Sequence, residues 1–437
     1  MLVQSVLRSK TEKTGFNGTA LNVCAAIESN ILLNKGITDI GGFVVPQAIM
    51  SNNKDEATER VFKSMLYFIF TFVSPFLLLP LINKHFLSSY KIAEKFDNEQ
   101  KRILEVSKKY LTKDGEYLKE GIRNTAEKLF HDKNKFDGIM NGYSDLEELR
   151  KDLINVHTKI HAVDFLTTNL MVAAIPWLGN AFTKYRTNRS GYSGTYKLAD
   201  EEFTQKAAKK HDKSKKLRQI ATFSLAVLPA VTLPFLVKKG MLNNSENKIF
   251  KWFNRNADKF DYKDAIYMSR LTGLAMWITS DYFPYQLASR DKYEYRDCLI
   301  RGTSIGLVFW GGDLFLKKAL SKLSDKIFNT KLTNPQTGKT YRLSVLKQKL
   351  DGLANLDNKT LKKTRNAGTA LYIFNLLLIS ASLGFGLPFM LNKLLKKALI
   401  RIRIMQISQQ ITVLLKLQKY SKTSIQRKVK IFYRKYK

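Results

Sequence analysis

Cysteine is almost missing from this 437-residue sequence. Cys24 and Cys298 are the only two, too few for a disulfide framework or a thiolate metal site, and they leave the redox compartment open. The first 30 residues lack a central apolar run, so no cleavable signal is read there and any membrane insertion has to begin at an internal segment. Cys24 follows Leu21, Asn22 and Val23, but polar residues precede it, and it reads as an ordinary cysteine rather than a lipidation site. No phosphate-cradling glycine motif, nucleotide fingerprint or zinc-spaced cysteine cluster occurs. Acidic residues are also short: 37 Asp plus Glu face 73 Lys plus Arg, a net charge of +36. Such an excess repels itself and calls for a polyanionic neighbour, either anionic lipid or nucleic acid.

What the chain does have is long apolar runs. Crossing a hydrocarbon core of roughly 30 Å takes about 20 apolar residues. Segments 65–82, 165–182, 219–237 and 367–392 contain no charged residue, and 265–288 and 298–316 contain few. Buried core helices of a soluble protein are the competing reading. Proline argues against it, because seven of the nine (Pro75, Pro80, Pro176, Pro229, Pro234, Pro284, Pro388) lie inside these runs. Each would cost a soluble helix about 3 kcal/mol. Membrane helices tolerate such breaks because neighbouring helices satisfy the freed backbone groups.

The polar stretches between these runs also read as helical. Ser144 and Glu147 stand in capping-box positions. After them Leu146, Leu149, Leu153, Val156, Ile160 and Val163 alternate spacings of three and four, an amphipathic helix that continues into the span behind it. Residues 83–130 read as one or two similar helices broken near Asp114 and Gly115. No strand is expected anywhere.

Two elements recur. An apolar run ending Leu-Pro-apolar and then lysine appears at Leu79, Leu233 and Leu387, its prolines 154 residues apart both times. A polar turn follows Pro46 and Pro284: both place Ser five residues on (Ser51, Ser289), Lys three later (Lys54, Lys292) and Glu two beyond that. The spacing predicts helical hairpins with tips at these turns, and makes 31–50 a seventh membrane segment. Six spans divide the basic residues 35 against 36 between the two sides and predict no orientation. Seven place 39 on the side of the N-terminus and long connectors and 17 at the tips, so that the connectors are cytoplasmic. The tail from Lys393 holds 14 basic residues and no acidic one. Seven crossings put it on the tip side, and a return of the chain over 398–415 is expected.

The candidate chemistry is sparse. An isolated charge at mid-bilayer costs at least about 3 kcal/mol, so Arg270 with Asp313, and Asp281 with Arg301, at matching depths about Lys292, are read as internal ion pairs. A polar path for a solute is the alternative. His157, His161 and Asp164 fall at i, i+4 and i+7 and are weak metal-ligand candidates. Membrane desaturases use similar boxes but several of them, and this chain has five histidines in all. The stretch Gly191–Gly194 resembles the serine motif of rhomboid proteases. It lies in a polar stretch with no histidine in any later apolar run, so a flexible loop is expected and no catalytic residue is assigned.

The sequence therefore predicts an all-α, polytopic helical membrane protein of repeated apolar hairpins joined by amphipathic polar helices. Its segments are a polar start (1–30), a first hairpin (31–82), a connector (83–164), a second hairpin with a basic loop (165–237) and a short connector (238–264). Then come a charged hairpin (265–316), a connector (317–366), an apolar segment (367–392) and a basic amphipathic tail (393–437). No cofactor is expected. The leading functional expectation is a non-enzymatic protein whose basic helices and tail engage anionic lipid or an acidic protein partner, with nucleic acid behind both. A carrier with a polar path in 265–316, or a metal-dependent lipid enzyme, are the alternatives.

Overall fold

Short polar side chains set where the main helices begin. Asn30, Asn53, Asp145, Asp291 and Asp357 each accept a backbone N–H from the first turn that follows. The computed structural model describes residues 20–87, 105–113, 115–141, 143, 145–196, 205, 208–209, 212–242, 247–263, 267–348, 353, 355–401, 403–405, 407–408 and 411–412. Asp114, most of the polar start and most of the tail lie outside them, as does Ser144. The cap of the long amphipathic helix is instead Asp145, whose Oδ1 accepts the Glu147 N–H at 2.8 Å.

The described chain is mainly helical, with a two-residue antiparallel ribbon that pairs Tyr262 with Met268 and Lys263 with Tyr267 and an isolated antiparallel bridge between Thr333 and Thr340. In chain order α1 is Ala20–Ser29; α2 covers 31–49; α3 is Lys54–Phe86; α4 is Gly115–Phe130; α5 is Asp137–Asn141; α6 is Leu146–Thr187. Then come α7 (Lys215–Leu242), α8 (Lys248–Arg255), α9 (residues 270–287), α10 (residues 292–328), α11 (Leu343–Gln348) and α12 (Asn358–Met405). By length and composition α3, α6, α7 and α12 can each cross a membrane. The expected return of the tail does not occur within the described residues. No Gly or Pro follows Pro388 before Met405, so α12 simply continues to that point.

At 42 residues α6 is about 63 Å long, roughly twice the apolar thickness of a bilayer. Its first half belongs to a different environment from its second. Leu149, Leu153, Val156 and Ile160 pack with Leu118 and Ile122 of α4, Phe136, Phe253 and Phe260 into one apolar core. The connector after α3 is thus a packed unit around the end of α6. A second small core joins Cys24 and Ala25 of α1 to Leu343 and Leu346 of α11 and Tyr372 of α12.

The apolar halves behave otherwise. In the most apolar window of α3 only 11% of residues are buried, and in α7 and α12 only 28%, against 50% in α6. Leu77, Leu81, Leu228, Phe235, Leu377 and Phe389 all face outward. A soluble monomer seldom leaves such continuous apolar surface open to water.

Among the described residues five π-helical stretches interrupt the apolar helices: Gly36–Val44 in α2, Ile69–Val73 in α3, Trp277–Tyr282 in α9, Gly306–Leu316 in α10 and Ser380–Gly386 in α12. Where α2 meets α12 the backbones touch, since a Cβ on Gly384 would stand 2.5 Å from the Gly42 carbonyl oxygen.

Candidate functional site

The two proline turns meet at one end of the helix bundle and carry the same hydrogen bonds. After Pro46 the chain leaves α2 through a turn in which the Met50 N–H donates to the Pro46 carbonyl at 2.9 Å; after Pro284 the Ala288 N–H donates to the Pro284 carbonyl at 2.9 Å. Asn53 then caps α3 and Asp291 caps α10. Glu56 reaches back to accept the Asn52 N–H at 2.7 Å, and Glu294 accepts the Arg290 N–H at 2.7 Å. The tip residues Pro46, Ser51 and Lys54, and Pro284, Ser289 and Lys292, occupy matching places in these turns. Lys54 and Lys292 are exposed, whereas Ser289 is 2% exposed, so the tips are partly buried.

Other elements clamp these turns. Asn53 Nδ2 donates to the Ser193 carbonyl at 2.8 Å, Asn180 Nδ2 to Ala288 at 2.7 Å, and Arg218 Nη1 to Ser289 at 2.7 Å. The Gly191–Gly194 stretch is therefore not a flexible loop. Ser193 is 1% exposed because the first turn lies on it, and among the described residues no histidine bonds to it.

One turn of helix beyond each cap, α3 and α10 face each other with charges. Glu59 Oε1 accepts from Lys63 Nζ at 2.6 Å and from Arg290 Nη2 at 2.7 Å. Arg290 also pairs with Glu294 at 2.8 Å, and Lys63 stands 3.7 Å from Glu294. Beside this quartet Arg60 pairs with Glu56, and Arg301 pairs with Asp297 at 3.0 Å and donates to Gln47 Oε1 at 2.7 Å. Four acids and four bases thus neutralise one another. That balance matters, since a buried charge left alone costs several kcal/mol. Burial opposes the Arg290 charge, but Glu294 and Glu59 outweigh it and hold its pKa well above the ordinary arginine value.

The expected pairing of Asp281 with Arg301 is not formed. Arg301 takes Asp297, one turn earlier on its own helix, while Asp281 lies across an open space and makes no ion pair among the described residues. That space is a cavity of about 440 Å³. The charged layer below the turns forms part of its wall; the rest mixes aliphatic and small polar residues with aromatic ones, including Tyr67, Phe72, Trp277, Tyr285 and Phe309. Four of the five π-helical stretches contribute to it, through Asp39, Thr71, Asp281 and Phe309. The side chains of Arg270 and Asp313 lie outside the described ones, so their pairing has no structural counterpart here.

His157, His161 and Asp164 share one face of α6, as their spacing requires, but they are buried rather than solvated, at 5%, 1% and 2% exposure. What faces them is an amine. Lys108 Nζ stands 3.0 Å from His161 Nδ1 and donates to the Phe260 carbonyl at 2.7 Å, and Asp164 accepts from the Tyr262 hydroxyl at 2.9 Å. Burial lowers the Lys108 pKa to about 8, with Asp261 pulling weakly the other way. A lysine amine against His161 is a poor neighbour for a metal ion. Among the described residues no group of three or more His, Cys, Asp and Glu side chains could hold one. Asp164 also reaches the cavity wall.

Reading the sequence for hairpins found the turn residues but not the charged layer. Its signal was present. The 238-residue separation of Pro46 and Pro284 also relates Glu59 to Asp297 and Lys63 to Arg301, each an i, i+4 acid–base pair. Arg290 carried no such signal, because its partner at that separation is Asn52.

No protein-family model, curated protein or solved structure matches the chain.

Proposed function

We propose that this is a polytopic integral membrane protein that acts as a carrier, taking a small amphiphilic solute into the cavity between its two proline turns. The observation that carries this reading is the cavity itself. It combines aromatic wall residues and a charge-balanced polar layer inside helices whose outer faces are apolar. Broken helices around a central site, in units that recur along the chain, are features of carrier folds. Here the breaks are the π-helical stretches and the recurring units are the hairpins at 31–82 and 265–316. The matched turn hydrogen bonds support treating them as repeats. The wall fits a binding role better than an enzymatic one, since the histidines of α6 stand outside it against Lys108.

The basic exterior completes the reading. The side bearing the connectors holds 39 basic residues against 17 at the tips, which supports a cytoplasmic placement of the connectors and contact with anionic headgroups there. The basic tail would add to that contact on its own side.

The chain supplies its own probe, because Cys298 lines the cavity and Cys24 is the only other thiol. In a Cys24→Ala variant reconstituted into vesicles, a small charged thiosulfonate is expected to modify Cys298 in the folded protein, and carbonate washing is expected to leave the protein in the membrane. Release by carbonate ends the membrane reading. A folded, retained protein whose Cys298 resists the reagent from both sides ends the carrier reading.

A further inference from the structure

We infer that the solute is a lipophilic monocation, an ammonium carrying apolar groups, with Asp281 as its counter-ion; this rests on the carrier reading above.

The argument starts from which charges around the cavity are already matched. Glu56 has Arg60; Glu59 and Glu294 share Lys63 and Arg290; Asp297 has Arg301; Asp39 has Lys35 at 3.7 Å. After these pairs no base of the wall is left without an acid. Two carboxylates remain without a base, Asp164 and Asp281. Asp164 accepts the Tyr262 hydroxyl. Asp281 has neither a hydrogen bond nor an ion pair among the described residues. In a chain of net charge +36, the cavity is thus a place where negative charge is in excess. An anion would meet no unpaired basic side chain there. A cation would meet a carboxylate.

The aromatic residues of the wall point the same way. The negative face of an aromatic ring attracts a cation within about 6 Å of its centre, and quaternary ammonium groups are bound in this manner. The wall already holds one ammonium by this means: Lys35 Nζ lies 5.0 Å from the ring centre of Phe309 and 5.5 Å from that of Phe72. Asp281 stands on the same wall with Trp277, Tyr282 and Tyr285 for neighbours in the chain or across the turn of α9. A carboxylate with rings around it and no cation of its own is a site for an ammonium whose substituents pack on those rings. A small hydrated metal ion would gain little from that apolar wall.

The test uses phenyltrimethylammonium, with benzenesulfonate as a probe of similar size and opposite charge. In full-length Cys24→Ala protein, phenyltrimethylammonium is expected to slow modification of Cys298 saturably, and benzenesulfonate to leave it unchanged. Asp281→Asn should weaken that protection at least tenfold, whereas Asp281→Glu should keep most of it. Asp258→Asn, an exposed carboxylate that does not line the cavity, should leave it unchanged. Thermal unfolding of each variant in detergent separates loss of binding from loss of fold. Equal protection by the two probes, no protection by either, or undiminished protection in folded Asp281→Asn overturns the cation assignment while leaving the carrier reading intact. The carrier reading falls separately, if Cys298 is unreactive without any probe.

Discussion

Arg290 is the side chain on which the charged layer turns. It is 9% exposed and holds Glu59 and Glu294, one from each of the facing helices, so removing it leaves two buried carboxylates with Lys63 between them. Breaking a buried pair in this way costs about 3–5 kcal/mol. Arg290→Met is therefore expected to lower the unfolding free energy in detergent by that order, and adding Glu59→Gln should recover part of the loss, because the second change removes one of the stranded charges. Arg301→Met should cost less, since Arg301 and Asp297 are 15% and 17% exposed and remain partly solvated. Lys108 provides a test in pH. Its folded pKa, about 8, lies below its ordinary value of 10.5, because burial disfavours the charged amine. Between those values the unfolded chain binds more protons than the folded one. Stability should then rise with pH across that window, by roughly 3 kcal/mol, and be flat with respect to this group below it. Lys108→Met should flatten the rise measured between pH 8 and 10.

Among the elements, the contact of α2 with α12 depends on glycine. At Gly384 an added methyl group would meet the Gly42 carbonyl oxygen and Pro46, which are backbone and ring atoms that cannot move aside. Gly41, one residue along α2 from Gly42, has nothing within 4 Å of an added methyl. Gly384→Ala is expected to destabilise by about 1–3 kcal/mol, while Gly41→Ala should be neutral or slightly stabilising; thermal unfolding of the pair decides it. The prolines belong to the same scale. Pro80, Pro176, Pro229 and Pro234 lie within continuous helix rather than ending it. Their presence in apolar runs said nothing about where helices stop. Asn53, Asp291 and the other N-caps set where helices begin.

For the molecule as a whole, both turns lie at the end reached by the close of α6, the start of α7 and Asn392 of α12, while the packed connectors lie at the other. Lys292 and Lys133 are both exposed and belong to opposite ends. In a background lacking Cys24 and Cys298, Lys292→Cys and Lys133→Cys should react with an impermeant maleimide from opposite sides of a sealed vesicle, the second from the cytoplasmic side. Labelling of both from one side would rule out the seven-crossing arrangement.

Sequence alone determined that the fold is all-α and that several of its helices are long and apolar enough to cross a membrane. Apolar run length, proline inside those runs and the period of the stripe from Leu146 to Val163 depend on neighbours along the chain, and that is what a sequence displays. The turns were legible for the same reason: Pro, Ser, Lys and Glu at fixed short spacings describe a local cap. Only the tertiary structure decided which charges meet. Arg301 took Asp297 within its own helix, Arg290 crossed to Glu59 from another, and Asp281 was left facing an open space. Matching depth across a hairpin tip could not foresee this, because pairing also depends on how each helix is rotated about its axis, and the π-helical stretches alter that rotation locally. The histidines of α6 make the same point. Their spacing placed them on one face, but what that face meets, Lys108 and Tyr262, comes from segments about 50 and 100 residues away.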